Sequence, residues 1–276
     1  MNSKTENFAE AAAEYWSTSI INIRPGSIEA RGYPIEQLIG NVGFAEMIWL
    51  MVRGERPPRA HADLLEAALV ASVDHGPHAP SIAIARMAVS CGLPLNGALA
   101  SAVNVLDDVH GGAGQQAVEL FHAIDALRAD GTTLEAAVSR GLDTFHAEHG
   151  KFVPGFGHRF HPVDPRAPRL LALVDAAVAD RVVDGRYAAI ARAIEAELRT
   201  RKGKPIPMNI DAATAVIYAE LGFAPELARG IFCLSRMVGI LAHAWEQQGR
   251  NERIKGPMPR QFGYRYTGPA RRDVTD

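Results

Sequence analysis

Three ionisable residues stand beside breaks in an otherwise regular chain. His110 lies in Asp108-Val-His-Gly-Gly-Ala-Gly114, where two glycines open a helix. Bare backbone there lets a ligand come close, and the helix N-terminus favours partial negative charge. His158 ends Val153-Pro-Gly-Phe-Gly-His158, a rigid proline followed by uncovered backbone N–H groups. Asp211 follows Met208-Asn-Ile210 and precedes a helix predicted over 212–221; its plain structural role is that of an N-cap. Nothing in their spacing alone requires the three to meet.

Arg236 adds a constraint. It sits in Ile231-Phe-Cys-Leu-Ser-Arg-Met-Val-Gly-Ile-Leu241, a helix apolar on nearly every side. Leaving a buried guanidinium unpaired costs on the order of 3–5 kcal/mol. Its partner is either an internal acid, with Glu220 and Glu246 as candidates, or a ligand carboxylate gripped bidentately. The other histidines take structural roles by default: His61, His78, His122, His161 and His243. His146 and His149, three apart, suit a solvated last helical turn better than a metal pair. Neither His-Glu-x-x-His nor Cys-x-x-Cys occurs, so no protein-bound metal is expected. Dinucleotide and P-loop patterns are absent, and Gly155-Phe-Gly157 is only half of a glycine fingerprint.

The elements that must hold these residues read as helices. Ala and Leu dominate, and apolar residues recur at helical spacing, as in Leu120, Ile124, Leu127 and Ile190, Ile194, Leu198. Helices are predicted over 34–53, 60–73, 80–91, 95–107, 114–129, 133–148, 167–180, 186–201, 212–221 and 225–248. Gly111-Gly112, the 154–157 run and the 202–207 run punctuate them. The last 25 residues, rich in Arg, Gly and Pro, read as an irregular tail.

Composition narrows the function classes. The 276 residues are 47% hydrophobic and 22% charged, which is enough for one or two packed domains and argues against disorder. A net charge of −2 is a poor basis for coating nucleic acid or a membrane surface. Cys91 and Cys233 lie in apolar segments, in keeping with buried thiols in a reducing cytoplasm. Residues 1–14 lack a basic-then-apolar signal pattern. The longest apolar runs, 42–52 and 231–245, read as too short to cross a bilayer.

Further motifs fall in one order along the chain. They are Ser17-Thr-Ser-Ile-Ile21, Arg31-Gly-Tyr-Pro-Ile-Glu-Gln-Leu38, Phe44-Ala-Glu-Met47, Gly54-Glu-Arg-Pro57 and Asp74-His-Gly76. His110-Gly-Gly-Ala113, Pro154-Gly-Phe-Gly-His158, Asp164-Pro-Arg166, Asn209-Ile-Asp211 and Ser235-Arg-Met-Val-Gly239 follow. In this the chain resembles the citrate synthase superfamily, nearly end to end, and especially its short citryl-CoA lyase members.

The resemblance implies an all-α fold with a large helical domain (1–113 and 223–276), an inserted small domain (114–222) and the active site in the cleft. It implies His110, His158 and Asp211 as catalytic residues, and His75, Arg166 and Arg236 as carboxylate-binding ones. Arg260 is the nearest match to an arginine donated across a dimer interface, and Val153, Pro154, Gly155, Phe156 and Gly157 would border coenzyme A. The segment from His158 to Arg166 is one residue shorter than the common family spacing, which leaves Arg159 and Arg169 as substitutes for Arg166. Few residues separate Pro57-Pro58 from Asp74-His75, as in the short lyases; retention of His110 is synthase-like.

The implied activity is cleavage of citryl-CoA to acetyl-CoA and oxaloacetate. Citrate or 2-methylcitrate synthesis is the alternative, and a non-catalytic acyl-CoA-binding subunit the alternative of another class. The CoA thioester is a substrate and no tightly bound cofactor is expected. A cytoplasmic homodimer, or a tetramer, is the expected assembly, with no nucleic-acid or membrane partner.

Overall fold

The structure, a computed structural model, describes residues 11–129, 131–158, 161–259 and 261–274. The fold is mostly helical. A small antiparallel sheet precedes the helices: β1 (Ile21–Arg24), β2 (Ser27–Ala30) and β3 (Tyr33–Pro34), in register Ile21 to Ala30 and Ala30 to Tyr33. The sheet is absent from the sequence expectation. Its strands are only two to four residues long, too short for period-two alternation to register. The Pro25-Gly26 turn between β1 and β2, with Gly26 at φ +79°, was its one strong signal.

The helices are α1 (Ile35–Leu38), α2 (Phe44–Arg53), α3 (Arg59–Ser72), α4 (Pro80–Ser90), α5 (Leu95–Val103) and α6 (Ala113–Arg128). They continue as α7 (Leu134–His149), α8 (Arg166–Ala179), α9 (Arg186–Lys202), α10 (Ile210–Glu220) and α11 (Pro225–Gly249). The expected single helix over 34–53 is two helices, because Gly40 takes φ +80° and no helix continues through such a residue.

Backbone contacts divide the chain into two units. One comprises the described residues of Met1–Ala71 and Gly114–Ala228, the other those of Ser72–Ala113 and Arg229–Asp276. The first unit is built round α10, whose residues Ala212 to Ala219 are all buried. Helices α8 and α9 pack on it, and α7 packs on α9. Gly141 of α7 is needed where it lies, since a Cβ there would meet Ile124 Cγ1 at 2.5 Å.

In the second unit α4 packs on α5, and Ile82, Ala85, Ala98, Ala102 and Leu106 form a core with Ile240 and Ala244 of α11. At 25 residues with a mean hydropathy of 1.3 over its most apolar window, α11 is by length and composition long enough to cross a membrane. It exceeds the apolar run read from the sequence. Its face of Ile231, Ser235, Arg236, Ile240, Ala244 and Gln247 is buried in protein, while Leu234, Val238, Leu241 and Trp245 are exposed. Cys91 is exposed rather than buried, because it caps the C-terminus of α4; Cys233 is half-buried.

Candidate active site

In the first unit two loops pair to hold His158 and Asp211. Phe156 bridges antiparallel to Met208. The Gly157 N–H donates to the Pro207 carbonyl at 2.7 Å, and the Asn209 N–H to the Gly155 carbonyl at 2.9 Å. Gly155 adopts φ +82°, and a Cβ on it would meet the nitrogen and Cβ of Ala212 at 2.7 Å. Only glycine lets this loop lie against the start of α10.

Asn209, not Asp211, caps α10. Its side-chain oxygen accepts the Asp211 N–H at 2.9 Å and its Nδ2 donates to the Gly157 carbonyl at 2.7 Å. Asp211 is therefore inside the first turn and is not the cap. One side chain thus ties the backbone beside His158 to the backbone beside Asp211.

Asp164, buried, anchors the same corner. Its carboxylate accepts Arg166 Nε at 2.9 Å, Arg166 Nη2 at 2.8 Å, the Arg166 N–H at 3.1 Å and the Ile210 N–H at 3.0 Å. Burial alone would raise its pKa, but the Arg166 contacts and the Ile210 N–H outweigh that and hold it at about 2. Arg166, expected to bind a ligand carboxylate, thus has the Nε–Nη2 edge of its guanidinium committed to Asp164, while Nη1 donates to the Ala71 carbonyl at 3.4 Å. Arg169 is exposed on α8. Arg159 and Arg260 lie outside the described residues.

His158 Nδ1 accepts the His161 N–H at 3.0 Å, so in the neutral ring Nε2 carries the proton. Burial lowers the His158 pKa; Asp164 opposes this, and His161 and Arg166 add to it. The Val153–Gly157 stretch, implied as a coenzyme A border, is the backbone run of this loop.

The second unit holds His75, His110 and Arg236. His110 Nε2 accepts the Ser81 N–H at 3.2 Å and lies 3.0 Å from Ser81 Oγ. Ser81 is in the first turn of α4. A backbone N–H can only donate, so the neutral ring carries its proton on Nδ1. Burial, and then the charge of Arg236, lower the His110 pKa. The ring is held as a neutral donor.

Arg236 is buried; its Nε donates to the Ser72 carbonyl at 3.1 Å and its guanidinium stacks on Phe232 at 4.9 Å. Neither internal acid proposed from sequence serves it. Glu220 caps the N-terminus of α9 through the N–H groups of Gly185, Tyr187 and Ala188. Glu246 pairs with Arg250 and, at 3.7 Å, Arg86.

His75 is exposed on the loop before α4. That loop rests on α11 at Gly239, where a Cβ would meet the Val73 carbonyl oxygen at 2.2 Å. Next to it, Arg86 Nη1 donates to His243 Nδ1 at 3.1 Å, which leaves the His243 Nε2–H facing Asp74 at 3.4 Å. Burial raises the Asp74 pKa, but the Gly76 N–H and His243 lower it further.

Sequence reasoning missed Asp164 as an anchor, Asn209 as a cap, and Ser81 and His243 as orienting groups. Asp164 and Asn209 carried a signal, each lying two residues before a candidate; Ser81 and His243 act at a distance in the chain. Among the described residues no three His, Cys, Asp or Glu side chains group as metal ligands.

Each unit thus holds glycine-shaped backbone beside candidate residues, His158 and Asp211 in the first and His110 in the second. Residues 51–258 match the family profile described as citrate synthase, C-terminal domain, and the chain belongs to the citrate synthase family. It is 33% identical over 227 residues to citrate synthase of Haloferax volcanii, covering 82% of this chain and 55% of that one. The chain spans about half the length of the curated citrate synthases it matches.

Among solved structures it is similar to citryl-CoA lyase from Hydrogenobacter thermophilus, with a TM-score of 0.81 and 31% identity, covering 94% of this chain and 97% of that one. It is also similar to citrate synthase from Thermoplasma acidophilum, solved in ternary complex with carboxymethyl coenzyme A and oxaloacetate. There the TM-score is 0.67 with 25% identity, covering 85% of this chain and 59% of that one.

Proposed function

We propose that the chain is a carbon–carbon lyase of citryl-CoA lyase type, cleaving citryl-CoA to acetyl-CoA and oxaloacetate. The observation that carries this reading is length. The chain is similar over 97% of a citryl-CoA lyase at 31% identity, but over only about half of the curated citrate synthases it matches. Condensation of an acyl-CoA with oxaloacetate is the second reading, favoured by the sequence identity to citrate synthases and by the presence of His110.

In cleavage the citryl hydroxyl loses its proton towards His158 as the carbon–carbon bond breaks, and the oxaloacetate carbonyl forms. The electron pair passes into the thioester, whose oxygen takes a hydrogen bond from His110 Nδ1–H. A donor aimed where charge develops is worth about 10²–10³ in rate. Asp211, as the acid, then delivers a proton to the enol carbon and gives acetyl-CoA. Condensation runs the same steps backwards, with Asp211 as the base.

His75, Arg166, Arg236 and Arg260 would hold the carboxylates, and the backbone of Val153, Pro154, Gly155, Phe156 and Gly157 would border coenzyme A. Holding the reacting carbons together can supply about 7–11 kcal/mol of the barrier. In this reading 114–222 act as the small domain and 1–113 with 223–276 as the large one. The same proposal takes the chain as a cytoplasmic homodimer or tetramer. The exposed row Leu234, Val238, Leu241 and Trp245 of α11 supports a second copy there.

The test is purified protein with citryl-CoA and no ATP: acetyl-CoA and oxaloacetate are expected. Asp211→Asn and His158→Ala should each lower turnover about a hundredfold or more while CoA-ester binding survives. Citrate release from acetyl-CoA and oxaloacetate, without citryl-CoA turnover, would move the assignment to a synthase. Tight CoA-ester binding with no turnover in either direction would make it a binding subunit.

A further inference from the structure

The loop that carries His110 is closed on itself and bound to one face of α11. The Asp107 N–H donates to the His110 carbonyl at 2.9 Å, and Asp107 bridges to Gly111. Gly112 has no room for a side chain, since a Cβ would lie 2.7 Å from Asp108 Cα. Gly111, at φ +103°, is so close to α11 that a Cβ would meet Phe232 Cε1 at 3.1 Å. One turn before Phe232, Arg229 Nη1 donates to Asp107 Oδ1 at 2.5 Å and Nη2 to Asp108 Oδ1. One turn after it stands Arg236, which stacks on Phe232 and whose charge acts on the His110 ring. Residues 229, 232 and 236 share a helix face.

We propose that Arg229 is a positioning residue for His110, its fork across Asp107 and Asp108 setting the height of the loop between α11 and Ser81 so that Nδ1–H points to the substrate oxygen. This rests on the proposed role of His110. Val109 at the loop tip is fully exposed and contributes no packing, so these contacts and Ser81 are what fix the ring. Both aspartates are mostly exposed, so each ion pair adds little to stability. The value of the fork is geometric: a guanidinium engages two consecutive carboxylates at fixed separation, where an ammonium offers a rotatable point charge.

The experiment uses the full chain with Arg229→Met, Arg229→Lys and the double variant Asp107→Ala with Asp108→Ala. In citryl-CoA cleavage, Arg229→Met and the double variant should lower kcat about tenfold or more. KM should stay within about twofold and the melting temperature should move little. Solvent deuterium exchange into the acetyl-CoA methyl group should fall in parallel, and Arg229→Lys should recover only part. Ring 15N spectra, with His110 identified by comparison with His110→Ala, read the same point without activity. The wild type should show Nδ1 protonated and the clamp variants a mixture of tautomers.

Full kcat and an unchanged tautomer in both clamp variants, with His110→Ala inactive, would overturn the inference alone. Full turnover in His110→Ala would instead overturn the functional reading beneath it. If Arg229→Met does not fold, the double variant decides, because it removes the same contacts from the side of the loop.

Discussion

Asp164→Asn tests whether one buried carboxylate organises the corner where α8, α10 and the His158 loop meet. The two oxygens receive four donors: Oδ1 takes Arg166 Nε and the Arg166 N–H, and Oδ2 takes Arg166 Nη2 and the Ile210 N–H. An asparagine oxygen can keep one pair, but its NH2 group then faces the other two donors with no acceptor between them.

The magnitude follows from the titration. A carboxyl held at about 2 instead of 3.8 contributes about 2.4 kcal/mol at neutral pH, at about 1.4 kcal/mol per pH unit. Because the folded pKa lies below the unfolded one, this contribution is complete above the unfolded value and is lost as pH falls through the folded value. About half remains at pH 3 and only a few tenths of a kcal/mol at pH 2. Urea unfolding at pH 7 should therefore show the variant about 2–3 kcal/mol less stable, and a scan should show a melting point lower by about 5–10 °C. The two stability curves should converge below about pH 3. A gap under about 1 kcal/mol at pH 7, or one that persists unchanged into acid, would refute the electrostatic account.

Three further outcomes follow from the same geometry. Gly155→Ala puts a methyl group into Ala212 and a side chain at positive φ, so turnover should fall about tenfold or more through displaced His158 and Asp211; kinetics alongside a melting curve checks this. Arg236→Leu should raise KM for the carboxylate substrate about tenfold or more while the chain still folds; unchanged KM and kcat would assign Arg236 a structural role. Burial lowers the pKa of both His110 and His158, so kcat/KM should stay flat as pH falls from about 7.5 to the ordinary histidine value near 6.5 and drop only below it. An acid limb above that value would contradict neutral rings.

Most helices were legible because their apolar residues recur at helical spacing. What was illegible was fixed by contacts across the chain. Asp211 read as an N-cap because it adjoins the helix, but Asn209 caps it since only Asn209 can also reach the Gly157 carbonyl, 52 residues away. Glu220 read as a partner for Arg236 and is spent on N–H groups of residues 185–188. Arg166 read as a ligand-binding arginine; its near neighbour Asp164 occupies one edge, and that pairing was within local reach of the sequence. The β1–β2 hairpin escaped notice because Ile23 is largely exposed and both strands are four residues long, so no buried face imposed a period.

The two histidines are oriented by the same device applied to opposite nitrogens. Ser81 donates a backbone N–H to His110 Nε2, and His161 donates one to His158 Nδ1. His110 then presents Nδ1–H, and His158 presents Nε2–H. For His110 the arrangement suits both directions, because a neutral donor to the thioester oxygen never has to release its proton. For His158 it does not. Nε2–H can donate to the carbonyl of a 2-oxo acid, but receiving the hydroxyl proton during cleavage requires a free lone pair on Nε2, hence the ring proton on Nδ1. That nitrogen would then oppose the His161 N–H, donor against donor. Proton transfer at His158 therefore needs its contact with His161 to open, in cleavage and equally in condensation, whereas hydrogen bonding to oxaloacetate does not. The cost of breaking one partly exposed hydrogen bond, about 0.5–1.5 kcal/mol, is small beside a chemical barrier. The turn from His158 to His161 is thus where the chain passes from binding the 2-oxo acid to moving a proton, at the same small cost in either direction of the reaction.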